Sequence, residues 1–192
     1  MTPRARTRVA SVALAVIAAL VTAWVTVAVR RRISVPPART TLSAPATPAP
    51  PGRKITARLY YVSTDGTKLS AVDREVAYAD GAAAQAQAIV LAQLAPPPVP
   101  LVSAIPAGTT LRALYLTAKG EAYVDLSKDA AAAHTGGTQD ELLTIYTIVN
   151  ALTNNLPAVT SVQLLVDGKE VDTLAGHVDL RKPLEKNLAL VE

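Results

Sequence analysis

The sequence predicts an α+β domain, a mostly antiparallel sheet with two helices packed on one face, preceded by a transmembrane helix and a proline-rich linker. Three observations carry this. Short segments alternate apolar and polar residues and are joined by tight-turn dipeptides; two longer stretches have helical spacing with start and stop signals; and one long run near the N-terminus holds no charge.

That run is Val9–Val29, "VASVALAVIAALVTAWVTVAV", 21 residues without a charged side chain. At about 1.5 Å per residue a helix of this length covers the roughly 30 Å hydrocarbon layer of a bilayer. Arg4, Arg6 and Arg8 flank one side and Arg30, Arg31 and Arg32 the other. The run is long for the apolar part of a signal peptide and ends without a clear small-residue cleavage pattern, so it is expected to act as an uncleaved signal anchor. The arginine count is nearly balanced across it, and charge alone does not orient the chain. Residues 1–8 are then a short basic tail, and residues 30–53 a Pro/Ala-rich linker. Six of the nineteen residues in Ser34–Gly52 are proline. Such a segment buries no core, and at about 3.1 Å per residue it holds a domain up to roughly 60 Å from the membrane.

Residues 54–187 supply the domain, and residues 188–192 a C-terminal tail. "ITARLYYV" places Ile55, Ala57, Leu59 and Tyr61 on one face of a strand, and "LSAVDREVAY" reads as a second strand after the turn "TDGT". Asp80 is placed to cap a helix over 82–94, with Ala86, Ile89, Val90 and Leu94 in phase, and Pro96, Pro97 and Pro98 stop it. A strand ending at Leu116 and another over Glu121–Leu126 are close enough to form a hairpin about Gly120. Thr138 and Glu141 have the spacing of a capping box, before Leu142, Ile145, Val149 and Leu152 on a helix face. "VTSVQLLV" is a strand, and Asp167-Gly168 suits the type I′ turn that would return it.

Charge and composition exclude several functions. The chain carries a net charge of +4, yet residues 1–53 hold eight arginines and no acid, leaving 11 − 15 = −4 for residues 54–192. The domain lacks the basic face that phosphate binding requires, so no nucleic-acid partner is expected. The absence of cysteine removes disulfides, thiolate metal sites and Cys nucleophiles.

The stretch Leu164–Leu180, "LLVDGKEVDTLAGHVDL", collects Asp167, Asp172, His177 and Asp179. His177 and Asp179 share a face if extended, but His134 is the only other histidine, and two ligands with a remote third make a poor zinc set. No G-x-S-x-G turn presents a nucleophilic serine. Asp125 and Asp129 stand near a strand end, better placed to start the next segment than to hydrolyse a glycosidic bond. Gly136, Gly137 and Thr138 precede a helix and suit capping better than phosphate binding, since no P-loop lysine follows. Asp167 is expected in a turn, Asp172 facing solvent, and His177 in a bend that closes the sheet through a structural hydrogen bond. No residue is assigned a catalytic, cofactor-binding or metal-binding role, and no small-molecule substrate is identified.

In chain order, "SAIPAGTTLRALYL", "GEAYVDLS", "GGTQDELLTIYTIVNALT" and "VTSVQLLVDGKEVDTLAGHVDLRKPL" resemble the GerMN domain family over residues 54–187. The family is linked to bacterial sporulation and germination. The resemblance implies an extracytoplasmic domain without enzymatic activity, related in fold to the small αβ ring-building modules of secretion systems. Unlike the family's founding sporulation protein, the chain shows one copy of the domain and no lipoprotein cysteine. The expected function is a non-enzymatic interaction or assembly module of the cell envelope, held to the cell membrane through Val9–Val29 and facing out of the cytoplasm, with envelope proteins or further copies as partners. The alternative is a protein that binds or modifies cell-wall peptidoglycan. It would show a groove lined with aromatics and carboxylates, and the sequence holds six Tyr, one Trp and no Phe.

Overall fold

Alternating strand residues and two helical runs fold into three layers in the computed structural model, which describes residues 52–192 apart from Thr135. The expected transmembrane helix Val9–Val29 lies outside the described residues. Among the described residues, no helix is long and apolar enough to cross a membrane.

The first layer is a hairpin of β1 (Lys54–Val62) and β2 (Leu69–Ala77), paired antiparallel from Lys54↔Ala77 to Val62↔Leu69. Alternation buries Ala57, Leu59 and Tyr61 as predicted, and Tyr60 is buried on the opposite face. The second layer holds α1 (Ala82–Leu94) and α3 (Thr138–Asn155). The third is a larger sheet of β3 (Leu111–Leu116), β4 (Glu121–Leu126), β5 (Ser161–Val166) and the two-residue strands β6 (Lys169–Glu170) and β7 (Leu184–Glu185). A one-turn helix, α2 (Asp129–Ala132), lies between β4 and α3, and a 3-10 turn spans Leu188–Leu190.

The α+β class holds, and the strands pair mostly antiparallel, with one parallel pair, β4 and β5, from Glu121↔Ser161 to Leu126↔Val166. The expected one sheet with two helices on one face is corrected on two points: there are two sheets, and a third, short helix is present. The parallel pair follows from α3: eighteen helical residues carry the chain back along the sheet, and a parallel connection needs a crossover of about a dozen residues or more.

Helix α3 is the centre of the core. It touches β1 of the hairpin, β5 of the larger sheet and α1. From Leu143 to Thr153 every residue except Tyr146 is buried, so the stripe Leu142, Ile145, Val149 and Leu152 is only part of its packed surface. A helix apolar on one stripe in sequence but buried all round must satisfy its polar side chains internally. Thr153 Oγ1 donates to Val149 O at 2.7 Å, and the Asn150 side chain pairs with both backbone groups of Asn187, each at 2.9 Å.

The same device covers the outer edge of β1. Gln93 of α1 accepts from the Tyr60 amide (2.9 Å) and donates to the Tyr60 carbonyl (2.7 Å). Asn155 of α3 does the same for Arg58, with both bonds at 2.7 Å, and the Val62 amide donates to Val102 O at 2.9 Å. Two side-chain amides and one residue thus replace a neighbouring strand on an edge that would otherwise invite pairing with another chain. On β2, Glu192 N–H bonds Leu69 O, and Lys54–Glu75 and Arg58–Asp73 ion pairs dress the exposed side of the hairpin.

The β3–β4 connection turns at Gly120, whose φ of +86° favours glycine; a Cβ there would lie 2.9 Å from Ala158 O and 3.0 Å from Thr160 Oγ1. Since the close atom is backbone, Gly120→Ala is expected to cost about 2 kcal/mol or more from strain and crowding. Chemical denaturation checks this, and a loss below about 0.5 kcal/mol would show that the turn can relax.

Candidate functional site

The polar residues of Leu164–Leu180 turn out to be organised by one side chain that is remote in sequence. Glu141, in the first turn of α3, is fully buried, yet it lies in helical phase with the core residues Ile145, Ile148 and Leu152. Its Oε1 accepts the amides of Leu174 (2.8 Å) and Ala175 (2.9 Å), and its Oε2 accepts the amide of His177 (2.8 Å). His177 Nδ1 lies 3.1 Å from the same Oε2. A carboxylate only accepts, so Nδ1 carries the proton there. Burial works against the charge on Glu141, but the three amides and the imidazole outweigh it and hold its pKa below the ordinary value.

The capping-box expectation is therefore corrected. The N-cap of α3 is Gly137, and no side-chain cap bond forms, because Glu141 faces the core and holds the loop that returns from β6. Asp80 likewise does not cap α1. Gly81 is the N-cap, and Gln85 takes up the local backbone by accepting from Ala79 N (2.9 Å) and donating to Ala77 O (3.1 Å).

The remaining candidates sit apart. Asp167 and Gly168 both have positive φ, +51° and +76°, as the type I′ turn between β5 and β6 requires. Asp125 is buried beneath this turn, accepting from Gly168 N at 2.7 Å, while Arg112 bridges Asp167 (2.7 Å) and Asp125 (3.7 Å). Asp129 accepts from Ser127 Oγ at 3.1 Å in the first turn of α2. Asp172 is exposed, and its carbonyl accepts from Leu180 N. Asp179 is held by two guanidinium nitrogens of Arg181, Nε at 2.9 Å and Nη2 at 2.8 Å, and this pairing depresses its pKa strongly. His134, His177 and Asp179 thus have separate partners, and among the described residues no group of three or more His, Cys, Asp or Glu is arranged to hold a metal.

His134 lines an open groove of about 760 Å³ formed by Leu94–Pro97, the 103–109 loop, and Asp140, Leu143 and Thr144 of α3. Both ring nitrogens are engaged: Nδ1 accepts from Gly136 N (3.1 Å), so Nε2 bears the proton and donates to Thr144 Oγ1 (3.2 Å), which donates in turn to Ala104 O (2.6 Å). Beside the groove the proline-rich loop exposes Val99 and Val102, a surface suited to contact.

Sequence reasoning missed Glu141, Gln85, Gln93, Asn150 and Asn155 as organisers. The signal was present: Gln85 and Gln93 fall in the same helical phase as Ala86, Ile89 and Val90, and Glu141 falls in that of Ile145. Polar residues at core positions mark buried hydrogen bonding.

A hairpin packed across two helices onto a mixed sheet defines a small α+β module of the GerMN type. The family model "Germane: Sporulation and spore germination" matches residues 58–172, more than half of the chain, and the chain belongs to this family. No curated protein matches it. Among solved structures it is similar to a candidate lipoprotein of Clostridium perfringens, at 26% identity and a TM-score of 0.50 over 69% of this chain and 88% of that one. The fold also matches the tandem GerMN domains of the sporulation protein GerM from Bacillus subtilis, at 16% identity and TM-score 0.54, over 69% of this chain and 46% of that pair. The first GerMN domain of the same protein gives 18% identity and TM-score 0.53, over 68% of this chain and 97% of that domain.

Proposed function

We propose that the chain is a membrane-anchored GerMN module that works outside the cytoplasm as a non-enzymatic interaction or assembly part of the cell envelope. The observation that carries this reading is that Glu141, His134, His177, Asp125 and Asp179 are each bonded to backbone or to a neighbouring side chain within the fold. Their chemistry holds loops in place, which suits a scaffold that displays surfaces. The uncharged run Val9–Val29 and the proline-rich segment after it support a tethered display, and the Clostridium perfringens structure, described as a candidate lipoprotein, agrees with an envelope setting.

The test is topological. A reporter active only outside the cytoplasm, and a counterpart active only inside it, are fused to the C-terminus through a flexible linker. Activity of the first alone is the expected result. Activity of the second alone would place the domain in the cytoplasm and sink the envelope reading.

A further inference from the structure

Several sheet edges are covered among the described residues: Gln93, Asn155 and Val102 cover β1, Glu192 meets β2 at Leu69, and β6 and β7 cover the far side of β5. The edge of β3 differs: it ends the larger sheet, and among the described residues no other strand pairs with it. Its residues are Leu111-Arg112-Ala113-Leu114-Tyr115-Leu116, without proline, and its one cation, Arg112, is already held by Asp167 at 2.7 Å. The Thr117 N–H to Glu121 O bond sets the alternation, so Leu114 and Leu116 turn their amides and carbonyls away from β4. This is an open row of donors and acceptors of the kind that accepts an added strand.

The faces beside that edge state what kind of strand fits. On the inner face, Leu114 and Leu116 are half-buried against the core. On the outer face Tyr115, 62% exposed, stands directly opposite Tyr123. The next row on that face holds Glu121, then Ser161, then Glu185, and among the described residues neither glutamate has an ion-pair partner. Two tyrosine rings next to free carboxylates attract a cation, by cation–π contact and by charge, and the domain's balance of −4 acts in the same direction.

We propose that the β3 edge is a docking site for an extended segment of a partner protein in which basic and apolar residues alternate. The partner's backbone pairs with Leu114 and Leu116, its apolar side chains continue the inner face, and its Lys or Arg side chains lie over Tyr115 toward Glu121. This deepens the interaction reading by naming a partner class and rests on it, but its test does not depend on topology; the reporter result stands whatever the peptides do.

The probe is a fluorescent, acetylated eight-residue peptide alternating Arg or Lys with Val or Thr, titrated against the purified full chain in mild detergent and followed by anisotropy. Saturable binding is expected, weakened at least tenfold by Glu121→Lys and by Tyr115→Ala, with circular dichroism checking that both variants stay folded. Methylation of the peptide's edge-facing amides is expected to abolish binding, as is replacement of its basic residues by Glu. Four outcomes overturn the proposal: no saturable binding; binding indifferent to amide methylation or to Glu121→Lys; a concentration-dependent dimer that Tyr115→Ala dissociates, which assigns the edge to a second copy; or glycan fragments binding in a Tyr115-dependent manner while the peptide does not.

Discussion

Replacing Glu141 by alanine is expected to destabilise the domain by about 3–5 kcal/mol, the range found when one partner of a buried charged network is removed. The amides of Leu174, Ala175 and His177 lose their common acceptor, and a buried donor left without a partner costs about 1–3 kcal/mol. For a domain of this size the melting temperature should fall by roughly 10–15 °C. Glu141→Gln separates two roles. A capping box accepts Gln in place of Glu, so a near-neutral Gln variant would return Glu141 to the helix end. A clamp on three amides and an imidazole loses an acceptor and the charge, and the Gln variant should fall well below wild type. Acid titration adds a signature. The folded pKa of Glu141 lies below its unfolded value, so its contribution is fully present above the unfolded value of about 4.3 and is lost as pH falls through the folded one. Melting curves between pH 7 and pH 3 should show the wild-type advantage over Glu141→Gln shrinking only below about pH 4.5. A gap that stays constant to pH 3 would mean the carboxylate's charge is not what the loop needs.

The second large effect belongs to Gln93. Its side chain is fully buried and satisfies both backbone groups of Tyr60, so Gln93→Leu leaves a buried donor and a buried acceptor unpaired. A loss of about 2–4 kcal/mol is expected from urea denaturation. The exposed β1 edge should also raise light scattering on mild heating, because an unpaired edge recruits other chains. A Gln93→Leu variant as stable and as soluble as wild type would show that β1 needs no cover.

How far the sequence reaches can be seen element by element. Strands β1, β4 and β5 are legible because the core-facing residues of each are apolar and alternate along the chain: Ala57, Leu59 and Tyr61, then Ala122, Val124 and Leu126, then Val162 and Leu164. The Asp167-Gly168 turn is legible because positive φ at two successive positions demands few residue types. The parallel direction of β5 is not, since alternation carries no direction; only the length of α3 hints at a crossover. Strands β6 and β7, two residues each, are too short to show a period. The turn at Asp167, the exposure of Asp172 and the structural bond of His177 are legible in the stretch Leu164–Leu180, but the residue that organises it, Glu141, is not, since it lies 36 positions upstream of His177. Such pairings are set by the sheet and helix crossing, which local spacing does not encode. The open β3 edge is likewise invisible until the strand order is known.

The placement of α3 between the hairpin and the larger sheet has a consequence for how the molecule comes apart. Neither layer owns a core: the apolar faces of β1 and of β4–β5 are closed by the same helix and its neighbour α1. Removing α3 therefore exposes both at once, and no half of the domain has enough buried area to persist alone. The α3 amides should exchange with solvent only through global opening, as one cooperative unit. Binding energy gained at the β3 edge is then shared by β1 and β2 on the far side of the helix layer, since whatever restrains one sheet raises the free energy of the only opening available to the other.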